Sequence, residues 1–171
     1  YKPLTEDKSA MTSCTYETPY KLNELLKSID PSVMHRVGIC IDTAHLWAAG
    51  TDISTHANMR KWFEELKALN CTNYLIHLND QIWTLGGGRD EHAPLLRGTI
   101  WGRFNPELDP IDTPENSGLK AVLEWSAEHN VDMILERKSA KPVIKDASGN
   151  IINNILSDYH MLLIAFGNRL R

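Results

Sequence analysis

Strands and helices alternate along this chain, and that alternation restricts it to a parallel α/β architecture more than any other feature does. Residues 2–6 (KPLTE) read as the end of a strand, and residues 20–29 (YKLNELLKSI) place apolar side chains at helical spacing. The order continues with strand 36–43 (RVGICIDT), helix 56–70 and strand 72–79 (TNYLIHLN). In the helix, Met59, Trp62, Phe63, Leu66 and Leu69 share one face, so Trp62 is expected in the core. A long loop from Asp80 to Ser117 contains GGGR and several prolines. A loop of that length inside a compact domain is usually functional or mobile. Helix 118–130, with Trp125 in its apolar stripe, strand 131–136 (VDMILE), turn 146–150 (DASGN) and helix 153–168 complete the order. A closed eightfold barrel takes about 250 residues. With 171 residues and four β/α units, the chain reads as half a barrel or a small open α/β sheet.

Strand periodicity then sorts the side chains by face. Gly38, Cys40 and Asp42 share one face, with Val37, Ile39 and Ile41 on the other. Leu75, His77 and Asn79 share a face, as do Asp132, Ile134 and Glu136. Each strand therefore offers a polar group near its C-terminal end: Glu6, Asp42, His77 and Glu136. In parallel α/β proteins that end carries the active site. Unpaired charges gathered there are costly, and divalent cations offset the cost. The segment after Asp42 adds His45, and the long loop adds Asp90 and His92, an i, i+2 pair that extended backbone places on one side. A set of Asp, Glu and His without cysteine suits Zn²⁺, Mn²⁺ or Fe²⁺ in a catalytic site better than a structural zinc.

Composition narrows the function classes. The net charge of −4 argues against a simple basic nucleic-acid binder, though bound cations can supply the positive potential. No apolar run approaches the ~20 residues needed to span a bilayer, so no membrane role is expected. Cys14, Cys40 and Cys71 form no C-x-x-C pair and read as reduced thiols of an intracellular, cytoplasmic or nuclear protein. His35, His56, His129 and His160 read as surface or helix-end residues. Trp83 and Trp101 could stack on bases, but ordinary loop packing is the commoner role.

RVGICIDTAHLWAAGTD, HLND, GGGRDEH and MILE stand in the order and approximate spacing of the endonuclease IV family of apurinic/apyrimidinic (AP) endonucleases, which they resemble over most of residues 20–136. The resemblance implies a (β/α)₈ TIM barrel, of which residues 1–171 form the C-terminal half, with the N-terminal half expected from the same or another chain. It implies a zinc-dependent endonuclease that cleaves duplex DNA 5′ to an abasic site and leaves a 3′-hydroxyl, using up to three zinc ions.

By the same resemblance, Asp42, His77 and Glu136 look like the ligands of one zinc of a close pair, with Glu136 also orienting the nucleophile. His45, Asp90 and His92 look like the ligands of the remaining zinc. Glu6 is the candidate for the family's bridging glutamate, although LTEDKSAMTS departs from the Glu-x-x-Ala-Gly pattern. Arg89, Arg97 and Arg103 in the long loop are candidates for meeting DNA phosphates; each alone is more often solvated. LLRG stands where the family has Gly-x-Gly, and Arg137-Lys138 where Thr-Pro is common. Two rival readings stay open: a sugar isomerase or epimerase of the xylose isomerase-like barrels, and a non-catalytic barrel half that binds DNA or protein.

Overall fold

The computed structural model describes residues 18–105, 113–136, 147–149 and 155–166. The strand expected at 2–6, with Glu6, lies outside the described residues, as does Cys14. Helix α1 is Pro19–Lys27, capped by the Thr18 hydroxyl, which accepts from Lys21 N at 3.3 Å. Strand β1 (Ile39–Asp42) runs into the short helix α2 (Thr43–Ala48). Helix α3 (His56–Lys67), strand β2 (Tyr74–His77), the paired strands β3 (Asp80–Gln81) and β4 (His92–Ala93), helix α4 (Gly118–His129), strand β5 (Asp132–Ile134) and helix α5 (Ile155–Phe166) follow.

β1, β2 and β5 form a parallel sheet in that order. The register pairs Asp42 with His77, and His77 with Ile134. Because parallel strands need crossovers, α2 and α3 carry the chain from β1 to β2, and the β3–β4 hairpin and α4 carry it to β5. α3 and α4 cover one side of the sheet through a dense aromatic core. The Phe63 and Trp125 rings stack at 4.3 Å, Trp62 meets Phe63 edge-on at 5.7 Å, and Tyr74 meets Trp125 edge-on at 5.1 Å. Trp62 and Trp125 are buried, as their helical stripes require.

The two helices are locked together at their starts. Thr55 caps α3 and Ser117 caps α4, and the two residues form a β-bridge. Gly118 N donates to Ser54 O at 2.8 Å, and a Cβ on Gly118 would collide with Ile53 O. Asn130 ends α4 in the left-handed conformation, φ 53°.

Three expectations need correction. The strands are shorter than 36–43, 72–79 and 131–136, and Glu136 lies two residues beyond β5. Residues 43–48 are helical, because the Asp42 carboxylate accepts from Ala44 N and His45 N at 2.9 and 3.1 Å and so starts a helix between the expected strand 36–43 and helix 56–70. The 80–117 segment holds the β3–β4 hairpin, two single-turn helices and its own core, with Leu95, Leu96, Ile100, Trp101 and Phe104 almost fully buried. Trp101 donates its indole N–H to Ile53 O at 3.3 Å, which settles its packing role.

The other face of the sheet is bare among the described residues. Cys40 and all of β5 are exposed, with Met133 and Ile134 at 38% and 44%. An eight-stranded barrel fills its interior with such side chains. No described helix is long and apolar enough to cross a membrane.

Candidate metal centre

Asp42 and His77 occupy the last positions of adjacent parallel strands, and the register sets them side by side. Glu136 reaches the same point from beyond β5. One ligand-capable atom from each of the three lies within 4.8 Å of the other two. His77 Nδ1 is 2.7 Å from Glu136 Oε2 and 3.7 Å from Asp42 Oδ2.

Asn79 frames this trio. It is almost fully buried. Its amide nitrogen donates to Asp42 Oδ2 at 3.3 Å and to Glu136 Oε2 at 3.5 Å, and its Oδ1 accepts from Glu136 N at 3.2 Å. The Asn79 backbone is itself held by Thr43, whose hydroxyl accepts from Asn79 N at 2.8 Å and donates to Asn79 O at 2.6 Å. Strand periodicity places Asn79 on the face of His77 but gives it no role; that shared face is the available signal.

A second cluster adjoins the first. His45, on the first turn of α2, places Nε2 3.1 Å from Asp90 Oδ2, and its Nδ1 lies 3.9 Å from Asp42 Oδ2. Burial alone would lower the His45 pKa; the carboxylates of Asp42, Asp90 and Glu136 outweigh it, and the net shift is upward. His92, opening β4, places Nε2 2.9 Å from Asp90 Oδ1. That buried nitrogen nevertheless makes no aligned hydrogen bond.

These residues fit a divalent cation. In the first trio one imidazole and two carboxylates converge on one point, while His45 and His92 each meet Asp90 through a different carboxylate oxygen. The buried His92 nitrogen has no hydrogen bond to satisfy it, which suits a lone pair turned to a metal. Partial burial and then the Asp42 and Glu136 charges raise the pKa of the neighbouring Cys40 thiol.

Asp80 closes the HLND motif, yet the sequence assigns it no role. It is fully buried, and its carboxylate accepts backbone N–H groups from Gln81 (2.8 Å), Ile100 (3.1 Å) and Gly98 (3.2 Å). Burial pushes its pKa up to about 7 against the pull of those donors. Asp80 thereby folds the 95–101 segment against the hairpin that carries Asp90 and His92. Of the three candidate arginines, Arg89 stacks over the Trp83 ring at 4.2 Å and Arg103 over the Phe104 ring at 4.6 Å. Arg97 follows the tight turn at Pro94, with its N–H on Pro94 O at 3.0 Å.

Residues 5–147 match the family described as xylose isomerase-like TIM barrel. A probable AP endonuclease of African swine fever virus (isolate Tick/Malawi/Lil 20-1/1983) is 32% identical over 126 residues, 71% of this chain and 40% of that protein. A probable endonuclease 4 of Mesomycoplasma hyopneumoniae (strain 7448) is 37% identical over 79 residues, 45% of this chain and 28% of that protein. The crystal structure of AsfvAP:AG superimposes with a TM-score of 0.67 at 27% identity, over 88% of this chain and 46% of that one. Endonuclease IV from Thermus thermophilus shares the fold, with a TM-score of 0.52 at 21% identity over 88% and 43% of the two chains. This chain thus spans less than half the length of each of these relatives. With parallel β/α units and acidic and histidine side chains gathered at one end of the strands, the chain belongs to the xylose isomerase-like TIM barrel family, alongside the AP endonucleases and endonucleases 4 that it matches.

Proposed function

We propose that this chain supplies part of a zinc-dependent endonuclease of DNA base-excision repair, which hydrolyses the phosphodiester 5′ to an abasic site and leaves a 3′-hydroxyl. The observation that carries the reading is the Asp42–His77–Glu136 group at the end of the sheet, with His45 and His92 beside it, each in contact with Asp90. The names of the matched relatives support it. A single-site sugar isomerase has no use for the second cluster. The remaining barrel strands come from the same polypeptide or from a partner chain, and the activity operates where cellular DNA lies.

Asp42, His77 and Glu136 would hold one ion, and His45, Asp90 and His92 another. Bound divalent ions supply Lewis acidity toward a phosphoryl oxygen and activate water near neutral pH. Glu136 has the most exposed side chain of the first trio, 37% against 24% for His77 and 9% for Asp42. As the most open of the three, it would also orient the attacking water. Asn79 keeps Asp42 and Glu136 aligned through its amide. Glu6, which lies outside the described residues, is the candidate bridging ligand. Arg89, Arg97 and Arg103 belong to the segment that meets the DNA backbone.

The test uses the full-length protein and a duplex carrying one abasic site, without added Mg²⁺. Incision 5′ to the lesion is expected. Chelation should abolish it, zinc should restore it, and His77→Ala and Glu136→Gln should each remove it. Ketose–aldose interconversion with no incision would establish the isomerase reading instead.

A further inference from the structure

The hairpin that carries Asp90 and His92 has a tip that the metal centre does not use. Between β3 and β4, Ile82, Trp83 and Leu85 remain 46%, 37% and 42% exposed. Three large apolar side chains held in water on one short loop are unfavourable unless a partner covers them.

The loop is fastened rather than slack. Gly86 N donates to Trp47 O at 3.0 Å and Gly88 N to Ala48 O at 3.1 Å, both on α2. These approaches need glycine: φ is 72° at Gly86 and 64° at Gly88. The Trp47 indole N–H returns a bond to Trp83 O at 3.0 Å. From inside, Gln81 Oε1 accepts from Ile82 N and Glu91 N, at 2.9 and 3.2 Å, while its amide donates to Arg89 O at 2.9 Å.

The tip also has a defined chemistry. Glu91 Oε2 accepts the Trp83 indole N–H at 3.0 Å and fixes the ring. Arg89 lies over one face of that ring at 4.2 Å, so a cation and a part-exposed aromatic ring stand side by side. The next residues along the chain are Asp90 and His92 of the loop cluster. A cation and a flat ring on a rigid loop complement a nucleic-acid strand, whose phosphates are anionic and whose bases present π-faces.

We propose that this tip, with Ile82, Trp83, Leu85 and Arg89, is a stacking surface for bases of the DNA strand that have lost their neighbours beside the lesion. The inference rests on the endonuclease reading and extends it. Trp83 and the flanking aliphatic side chains receive unstacked bases, and Arg89 meets the adjoining phosphate. The tip thereby selects interrupted duplex over intact duplex.

The test uses full-length, metal-loaded protein and a fluorescein-labelled duplex with 2-aminopurine opposite a stable abasic analogue, whose 5′ linkage is a non-hydrolysable methylphosphonate so that nothing is cut. Binding by the unaltered protein should raise 2-aminopurine fluorescence. Trp83→Leu, which keeps apolar bulk, and Leu85→Ser should raise Kd at least about fivefold and lose the fluorescence rise, on the scale of one lost base–aromatic contact. Trp83→Phe, which keeps a ring, should bind and report like the unaltered protein. If Trp83→Leu and Leu85→Ser bind with unchanged Kd and signal while abasic duplex is incised, the stacking surface is wrong and the endonuclease reading stands. If Trp83→Phe and Trp83→Leu behave alike, the tip packs against protein, and the proposal fails in the same way. A protein that neither binds nor incises the abasic duplex removes both readings.

Discussion

The two histidine–carboxylate clusters touch, yet they are built on different principles. Asp42 and His77 are set by strand register, so backbone ladder bonds alone place them together. His45, Asp90 and His92 sit on a six-residue helix and beside a two-residue strand pair, elements with too few bonds to hold themselves. They depend on fasteners: Asp80 gathering three backbone N–H groups, and Gln81 spanning the hairpin. The contrast shows that precision in the first cluster comes from the sheet. In the second it comes from a few buried polar side chains.

That contrast can be broken or sharpened. The largest effect is expected for His77→Ala: incision falls by roughly a thousandfold, the scale of several kcal/mol of lost metal assistance. Bound zinc measured by atomic absorption should fall but not vanish, because the loop cluster keeps its ligands. Loss of all metal would show that the clusters are one unit.

Gly98→Ala attacks the loop side. A Cβ there would collide with the Asp80 carboxylate and Gln81 O, and about 3 kcal/mol of stability should be lost, the upper end for overpacking. Urea unfolding measures it. Zinc retained by the folded variant should fall at the loop cluster first.

Asn79→Ala leaves every ligand in place and removes only the alignment of Asp42 and Glu136. Zinc affinity should drop about 10- to 100-fold, the usual cost of losing an outer hydrogen-bond partner. Competition with a chromophoric chelator reads it out, and an unchanged affinity would remove Asn79 from the centre.

The most gradual effect is a slope. The Asp80 pKa of about 7 in the folded chain exceeds the ordinary aspartate value of 3.8. Between about pH 4 and pH 7 the folded state holds a proton that the unfolded state has released. Stability should therefore fall as pH rises through that window, by roughly 1 kcal/mol per pH unit, and level off above it. Asp80→Asn should flatten this slope, as measured by urea midpoints across the range.

Much of the strand-borne cluster is legible because side chains in strands alternate with period two. Asp42 and His77 can be set on one face near their strand ends from that rule, while the pairing of the strands, and the place of Glu136 beyond β5, come from the fold. The helix at 43–48 is not legible. TAHLWA is nearly apolar throughout and too short to show a period, and its one start signal is Asp42, which reads equally as a ligand. The inner order of 80–117 is just as hidden. No local pattern announces that a carboxylate at 80 will accept N–H groups 18 and 20 residues away. Trp83 and Trp101 read alike in sequence, yet one ends 37% exposed and the other buried, since burial depends on where the loop folds back.

The Asp42 carboxylate divides its two oxygens: Oδ1 accepts the first N–H groups of α2, and Oδ2 faces His77. The consequence is thermodynamic. Were an ion to draw on Oδ2, it would fix the side chain whose other oxygen starts the helix bearing His45, and so preorganise the loop side. By linkage, an ion held on the loop side would then tighten the strand-end cluster by the same factor, through this one carboxylate.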